Sequence, residues 1–320
     1  MRPRSLALRS RLAAFLRSWP GTMTRTFRQE VGVRPPGRRA RPSPGPTRGP
    51  IWLELPGWLL ERYEPGFRRD PRSRRMLDAI LWGQYCLFLV VRIQDDLFDG
   101  HVRQPSLLFA ADQFLIESQR VFAEDLRSGP AFGRIYRQCL RDTTLAIVEI
   151  DRLQRSRRGV GAASLDHCSR QSSIFKVAPA WLCLRFRRMK EYPRISRFLD
   201  GIAVADQILD DLTDMEEDHR GGRLNFAVRR LMEGAGQSRK RGRKPPLLRA
   251  AEGALFHDGL SDLFSSVRQR IDAASAAISP LRISPAEDYI RRFRAGLDRY
   301  EGDIHRRRVR LLLGDLLAHR

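Results

Sequence analysis

From residue 73 to residue 317 the chain is cut by Pro- and Gly-containing breaks into segments of about 20 residues, and in each the apolar side chains recur at i, i+3, i+4 and i+7. That spacing puts them on one face of a helix, so each segment must bury that face against another. The pattern predicts helices over 73–98, 105–127, 130–155, 163–186, 194–219, 223–233, 247–277 and 285–317. The breaks are SGP at 128–130, RRGVGA at 157–162, EYP at 191–193 and ISP at 278–280. No run of alternating β-branched residues bounded by turns suggests a sheet, and no fixed-period repeat stands out. The expected fold class is all-α: a single large helical bundle over residues 51–320.

Charge narrows the partners. The chain holds 59 Lys and Arg against 37 Asp and Glu, a net charge of +22. Nucleic acid, an anionic membrane surface and a phosphorylated substrate all fit that sign. The excess is uneven. Residues 1–50 hold many arginines and prolines and a single acid, Glu30, and end in the linker RPPGRRARPSPGPTRGP. They are expected to form a disordered basic arm. GAGQSRKRGRKPP, residues 234–246, reads as a basic loop insert. Cys86, Cys139, Cys168 and Cys183 lie in apolar helical patterns with no metal-ligand spacing, which reads as buried free thiols in a reducing cytoplasm. The longest apolar run, AILWGQYCLFLVV, is too short to span a bilayer and contains Gln84, so it reads as a buried helix.

Against this basic background the acids are clustered. VVRIQDDLFDG, residues 90–100, ends an apolar helix with Asp95, Asp96 and Asp99. Asp95 and Asp99 share a face, and Asp96 is displaced by about 100°. In DQILDDLTDMEEDHRGGRLNFAV, residues 206–228, Asp206, Asp210, Asp214 and Asp218 recur every four residues, with Asp211 and Glu217 beside the stripe. Like charges at i, i+4 repel, so the arrangement costs helix stability. Taken alone, either cluster reads as a solvated acidic helix end. Two of them, each closing an apolar helix in a basic protein, would form a pocket of carboxylates if opposed across a bundle. Hard divalent cations with oxygen ligands, Mg²⁺ above all, are the natural counterions.

The paired motifs DDLFDG and DDLTDMEEDHRGGR resemble the aspartate-rich motifs of class I isoprenoid synthases. Two branches of that superfamily are matched. Asp95, Asp96 and Asp99 with Asp210, Asp211 and Asp214 resemble the polyprenyl diphosphate synthases, as does FKVA, in which Lys176 would contact diphosphate. Arg92 before the first motif, then Asp214, Asp218, Gly222, Arg223 and Phe226, resemble the squalene/phytoene synthases. The chain lacks the Gly-Gly-Lys-Arg stretch of chain-elongating synthases and the Asn-Ser-Glu motif of typical terpene cyclases.

The resemblance implies an isoprenoid synthase bundle with a central active-site cavity and a Mg²⁺-dependent transferase that ionises an allylic prenyl diphosphate and condenses prenyl units. Asp95, Asp96, Asp99, Asp210, Asp214 and Asp218 would hold Mg²⁺, about three ions. Asp95, Asp99 and Asp214 would be the catalytic set, with Arg92, Lys176 and Arg223 on the diphosphate. Phe88 and Val91, on the first-motif helix, would line the hydrocarbon pocket, although helical spacing alone makes them ordinary core residues. Expected partners are the prenyl diphosphate, a homodimer mate, and a membrane surface met through the basic arm or the apolar product. Cytoplasmic location is expected. The alternatives are a terpene cyclase on the same fold, a non-catalytic bundle with relic motifs, and a basic nucleic-acid-binding helical protein. Nucleic acid is not the expected partner, because the arginines lack interleaved aromatics and unfilled acid stripes repel phosphate.

Overall fold

The computed structural model describes residues 2–31, 50–98, 100, 102, 104–155, 164–215, 218, 225–234 and 259–318. These are helical, with no strand among the described residues. The helices are α1 (Arg2–Leu16), α2 (Gly21–Glu30), α3 (Ile51–Tyr63), α4 (Pro71–Phe98), α5 (Leu107–Arg120), α6 (Pro130–Arg155), α7 (Ser164–Gln171), α8 (Val177–Arg185), α9 (Tyr192–Thr213), α10 (Phe226–Gly234), α11 (Gly259–Ile278) and α12 (Ser284–Ala318). The all-α expectation holds.

α4 is the central beam. Asp70 caps its start, accepting the Ser73 hydroxyl at 2.7 Å and the backbone N–H groups of Ser73 at 2.7 Å and Arg72 at 3.2 Å, which together hold its carboxyl below the usual range. Leu77, Ile80, Leu81, Trp82, Cys86, Leu87, Val90 and Ile93 are buried. α4 is long and apolar enough to cross a membrane by composition, but 67% of its most apolar window is buried inside the fold, as in a core helix. α3, α5 and α8 pack around it. α9 lies closest to α11, and Gly201 permits the approach: a Cβ there would stand 2.7 Å from the Arg270 carbonyl oxygen and 2.9 Å from the Ala274 Cβ. The four cysteines are buried and free.

The first 31 residues differ from the expected disordered arm. α1 and α2 are helices, and Leu12, Leu16, Trp19 and Phe27 are buried. Rings of Phe15, Trp19 and Phe27 gather on Phe114 of α5 at 5.2–5.5 Å, and Phe15 meets Trp82 of α4 at 5.8 Å. Arg11 lies over the Trp82 ring at 5.2 Å, while the Trp82 indole donates to Glu117 at 2.7 Å. The cause is spacing. Leu8, Leu12, Leu16 and Trp19 fall on one helix face, and the arginines between them point to solvent or to acids such as Asp125. The linker part of the expected arm, residues 32–49, and the insert from 235 onward lie outside the described residues.

The segment expected as one helix over 163–186 is broken. Ser172–Lys176 winds as a tighter 3₁₀ segment between α7 and α8. Two buried side chains seal the break. Gln84 of α4 donates to the Ile174 carbonyl at 3.0 Å and accepts the Ala178 N–H at 3.2 Å. The Thr143 hydroxyl of α6 accepts the Ile174 N–H at 3.1 Å. Gln84, the polar residue inside the longest apolar run, thus serves the backbone of a neighbouring segment.

Candidate active site

Both acid clusters sit at the C-terminal ends of their helices, Asp95 and Asp96 on α4 and Asp210 and Asp211 on α9, and the 3₁₀ segment packs against both helices. Each helix is buried on most of its surface but keeps one half-accessible stripe in its middle. On α4 the stripe runs Phe88, Val91, Arg92, Asp95; on α9 it runs Ala203, Asp206, Gln207, Asp210, Asp214. Gln171, Ser172, Phe175 and Lys176 are half-accessible between them. Accessible surface along otherwise buried helices is where a cleft between them would open. Gln171 ties its rim to the first cluster by donating to Asp95 at 3.4 Å.

Below the carboxylates the walls are aromatic. Trp52 of α3 is sandwiched between Phe88 at 5.0 Å and Phe175 at 5.1 Å, and Tyr85 stacks on Phe88 at 6.0 Å. Phe88 lies seven residues before Asp95, so the stack is about 10 Å from the motif along the axis. Neither Trp52 nor Phe175 was anticipated. Trp52 comes from a helix that carried no helical expectation.

In each Asp-Asp pair the second carboxylate turns into the protein. Asp96 is buried and paired with the Arg92 guanidinium at 2.8 Å, and its carbonyl accepts the Val102 N–H at 3.1 Å, which closes the turn after the motif. Asp211 is buried, accepts the Phe226 N–H at 2.9 Å and the Gln207 amide at 2.8 Å, and is pushed up to about 7 by burial that those bonds offset only in part. Asp211 therefore ties the start of α10 to the end of α9. Asn225, fully buried and unforeseen from sequence, does the same from the other side. It caps α10 by accepting the Val228 N–H at 2.8 Å, and its amide donates to the Asp211 carbonyl at 2.9 Å and the Asp218 carboxylate at 2.7 Å. Asp218 is thereby held to the end of α9. Asp95, Asp210, Asp214 and Asp218 remain half-accessible. One turn below Asp210, Asp206 keeps some accessible surface but lies deep; burial and the Asp210 charge push it up to about 8.

Lys176 is placed elsewhere than the resemblance implied. Its ammonium lies 2.7 Å from Asp200, ten residues before Asp210 and so about 15 Å away along α9. Asp99 and Arg223 lie outside the described residues, as do His101, Arg103 and His219. Among the described residues no three His, Cys, Asp or Glu side chains converge as a preformed metal cluster. The donors themselves are of the chemistry that suits a hard cation: carboxylates, from two helices.

No protein-family model matches the chain, and no curated protein matches its sequence. Its fold is similar to the crystal structure of a polyprenyl synthase from Roseobacter denitrificans, with a TM-score of 0.61 and 13% sequence identity over 93% of this chain and 100% of that one. The chain has an isoprenoid synthase-like fold. At that identity the likeness is one of architecture.

Proposed function

We propose that this protein is a cytoplasmic, Mg²⁺-dependent isoprenoid synthase that ionises an allylic prenyl diphosphate and transfers the prenyl group to a second prenyl unit. The observation that carries the reading is the pair of half-accessible stripes on two core helices, each carrying carboxylates at its C-terminal end, above stacked aromatic rings. A diphosphate head and an apolar tail match that division.

Asp95 and Asp99 on one side, and Asp210, Asp214 and Asp218 on the other, would hold the ions together with the diphosphate oxygens. Mg²⁺ bound there supplies Lewis-acid stabilisation of the charge that develops on the departing diphosphate. Arg92, fixed by Asp96, presents the rest of its guanidinium to the same oxygens, and Arg223 adds a second cation after the second motif. Phe88, Val91, Phe175 and Trp52 exclude water, and their ring faces favour the carbocation left behind. Asp96, Asp211 and Asn225 hold the frame. Lys176, committed to Asp200, takes no part.

The test is incubation of the pure protein with farnesyl and geranylgeranyl diphosphate, with and without isopentenyl diphosphate, and product identification by mass spectrometry. A condensed product that needs Mg²⁺ is expected; a cyclic hydrocarbon from one diphosphate would mean cyclisation. Asp214→Ala should lower kcat by about a hundredfold or more while leaving the fold intact. Asp211→Ala should instead lower thermal stability, because it strips a carboxylate from a buried N–H. Undiminished turnover in EDTA, or near-normal turnover of Asp214→Ala, would overturn the reading.

A further inference from the structure

The end of the bundle opposite the acid clusters carries the reverse charge. The α3–α4 junction and the α8–α9 turn are bonded together there. Tyr63 at the end of α3 donates to Glu191 at 3.0 Å, and Arg62 pairs with the same carboxylate at 3.3 Å. From the first side Arg69, Arg72, Arg74 and Arg75 are exposed. From the second, Arg187, Arg188, Lys190 and Arg194 are exposed. None of these eight cations has a carboxylate at ion-pair distance among the described residues. Most acids at this pole are engaged in holding the structure: Asp70 caps α4, Glu64 accepts the Ser73 hydroxyl at 2.8 Å, Glu61 pairs with Arg68 and Glu191 with Arg62, while Asp78, one turn from Arg74 and Arg75, is exposed.

Several arginines elsewhere on the surface are paired. Arg120 binds Glu117 and Asp125, Arg152 binds Glu149, Arg294 binds Asp272 and Arg306 binds Asp303. Others, such as Arg134, Arg137 and Arg141 on α6, have no carboxylate at ion-pair distance among the described residues. Like charges crowded at one pole repel and lower stability, so the imbalance is not explained by folding.

We propose that this basic pole is a docking surface for an anionic lipid bilayer. Shape favours a bilayer over nucleic acid. The cations lie within about two helical turns of the same end of α4 and α9, so they spread over a disc across the helix ends and not along a groove or stripe that a duplex could follow. Of the aromatic rings beside them, Phe67 is buried and Phe186 is packed on Tyr63 at 5.5 Å, so neither is offered for base stacking. Phosphate headgroups of a bilayer meet such a disc face on. The surface stands apart from the proposed reaction and its test needs no substrate.

The full chain is sedimented with vesicles of phosphatidylcholine containing phosphatidylglycerol, and with vesicles of phosphatidylcholine alone, over a salt series. Binding to the anionic vesicles only, weakening as salt rises, is expected. Arg187→Glu/Arg188→Glu/Lys190→Glu should weaken it by about a hundredfold or more, at about fivefold for each charge lost. Arg134→Glu/Arg137→Glu/Arg141→Glu on the exposed face of α6 makes the same change in net charge and should leave most of the binding. Thermal melts of both variants establish that they fold. Equal loss in both triple variants would make the attraction a general effect of net charge and overturn the docking surface. So would absence of binding, or tighter binding of duplex DNA than of vesicles at matched salt.

Discussion

Phe27→Ala distinguishes a docked N-terminus from a free one. Phe27 is fully buried, with its ring 5.4 Å from Phe114 and 5.9 Å from Trp19. Truncating a buried Phe to Ala costs about 3–5 kcal/mol, the lost transfer energy plus the cavity. A residue in a disordered arm would cost less than about 0.5 kcal/mol. If α1 and α2 unfold together with the rest, about 3 kcal/mol lowers Tm by about 6 °C for a chain of this size. If they detach alone, the global Tm hardly moves, and the same loss raises the detached population about a hundredfold. Trypsin then reads it, because α1 carries Arg11 and α2 carries Arg25. Cleavage there should be slow in the wild type and about a hundredfold faster in Phe27→Ala, measured by mass spectrometry against time. An unchanged Tm together with wild-type cleavage as fast as in an unfolded peptide would refute the docking of α1 and α2.

Gln84→Leu keeps the volume but removes the acceptor of the Ala178 N–H and one of the two donors on the Ile174 carbonyl, which keeps the Val177 N–H, so urea unfolding should show a loss of about 1–3 kcal/mol. A loss below about 0.5 kcal/mol would mean that the 3₁₀ break does not depend on it. Asp206→Asn should flatten the pH dependence of stability of the metal-free protein. The folded pKa, raised to about 8, stands above the unfolded value of about 4, so this group's contribution is full below pH about 4 and is lost as pH rises through about 8. Wild type and variant should therefore diverge towards pH 8, with the variant relatively more stable; parallel melting curves from pH 5 to pH 8 would show that Asp206 is not so placed.

Helical periodicity was sufficient for the large elements because α4, α6 and α9 each bury a full stripe, and a stripe leaves its spacing in the sequence. It failed where composition drowned the spacing. In α1 every third or fourth residue is apolar, but the arginines between them make the average look unfolded. The break at Ser172–Lys176 was illegible for another reason: its partners, Gln84 and Thr143, lie on other helices, and SSIFK itself carries no Gly or Pro. The site was legible by angle more than by role. The rotation of Asp96 and Asp211 away from Asp95 and Asp210 follows from 100° per residue. What they turn towards, Arg92 and the Phe226 N–H, depends on tertiary packing. Lys176 matched a motif, yet Asp200 lay two turns below any acid the motif considered.

The separation of charge along α4 has a consequence for how the molecule arrives anywhere. Carboxylates gather near Asp95 and unpaired arginines near Arg72, and about 35 Å of α4 lies between them. That is a long electric dipole on a body of net charge +22. A charged plane exerts a torque on it as well as a pull, so the protein turns before it touches. At physiological salt the field fades over about 8 Å, so the turning is confined to the last few water layers. Only a short rotational search at the end of a diffusive approach separates a wrong landing from a right one. Dilute buffer lengthens that zone; concentrated salt removes it and leaves each encounter to chance orientation.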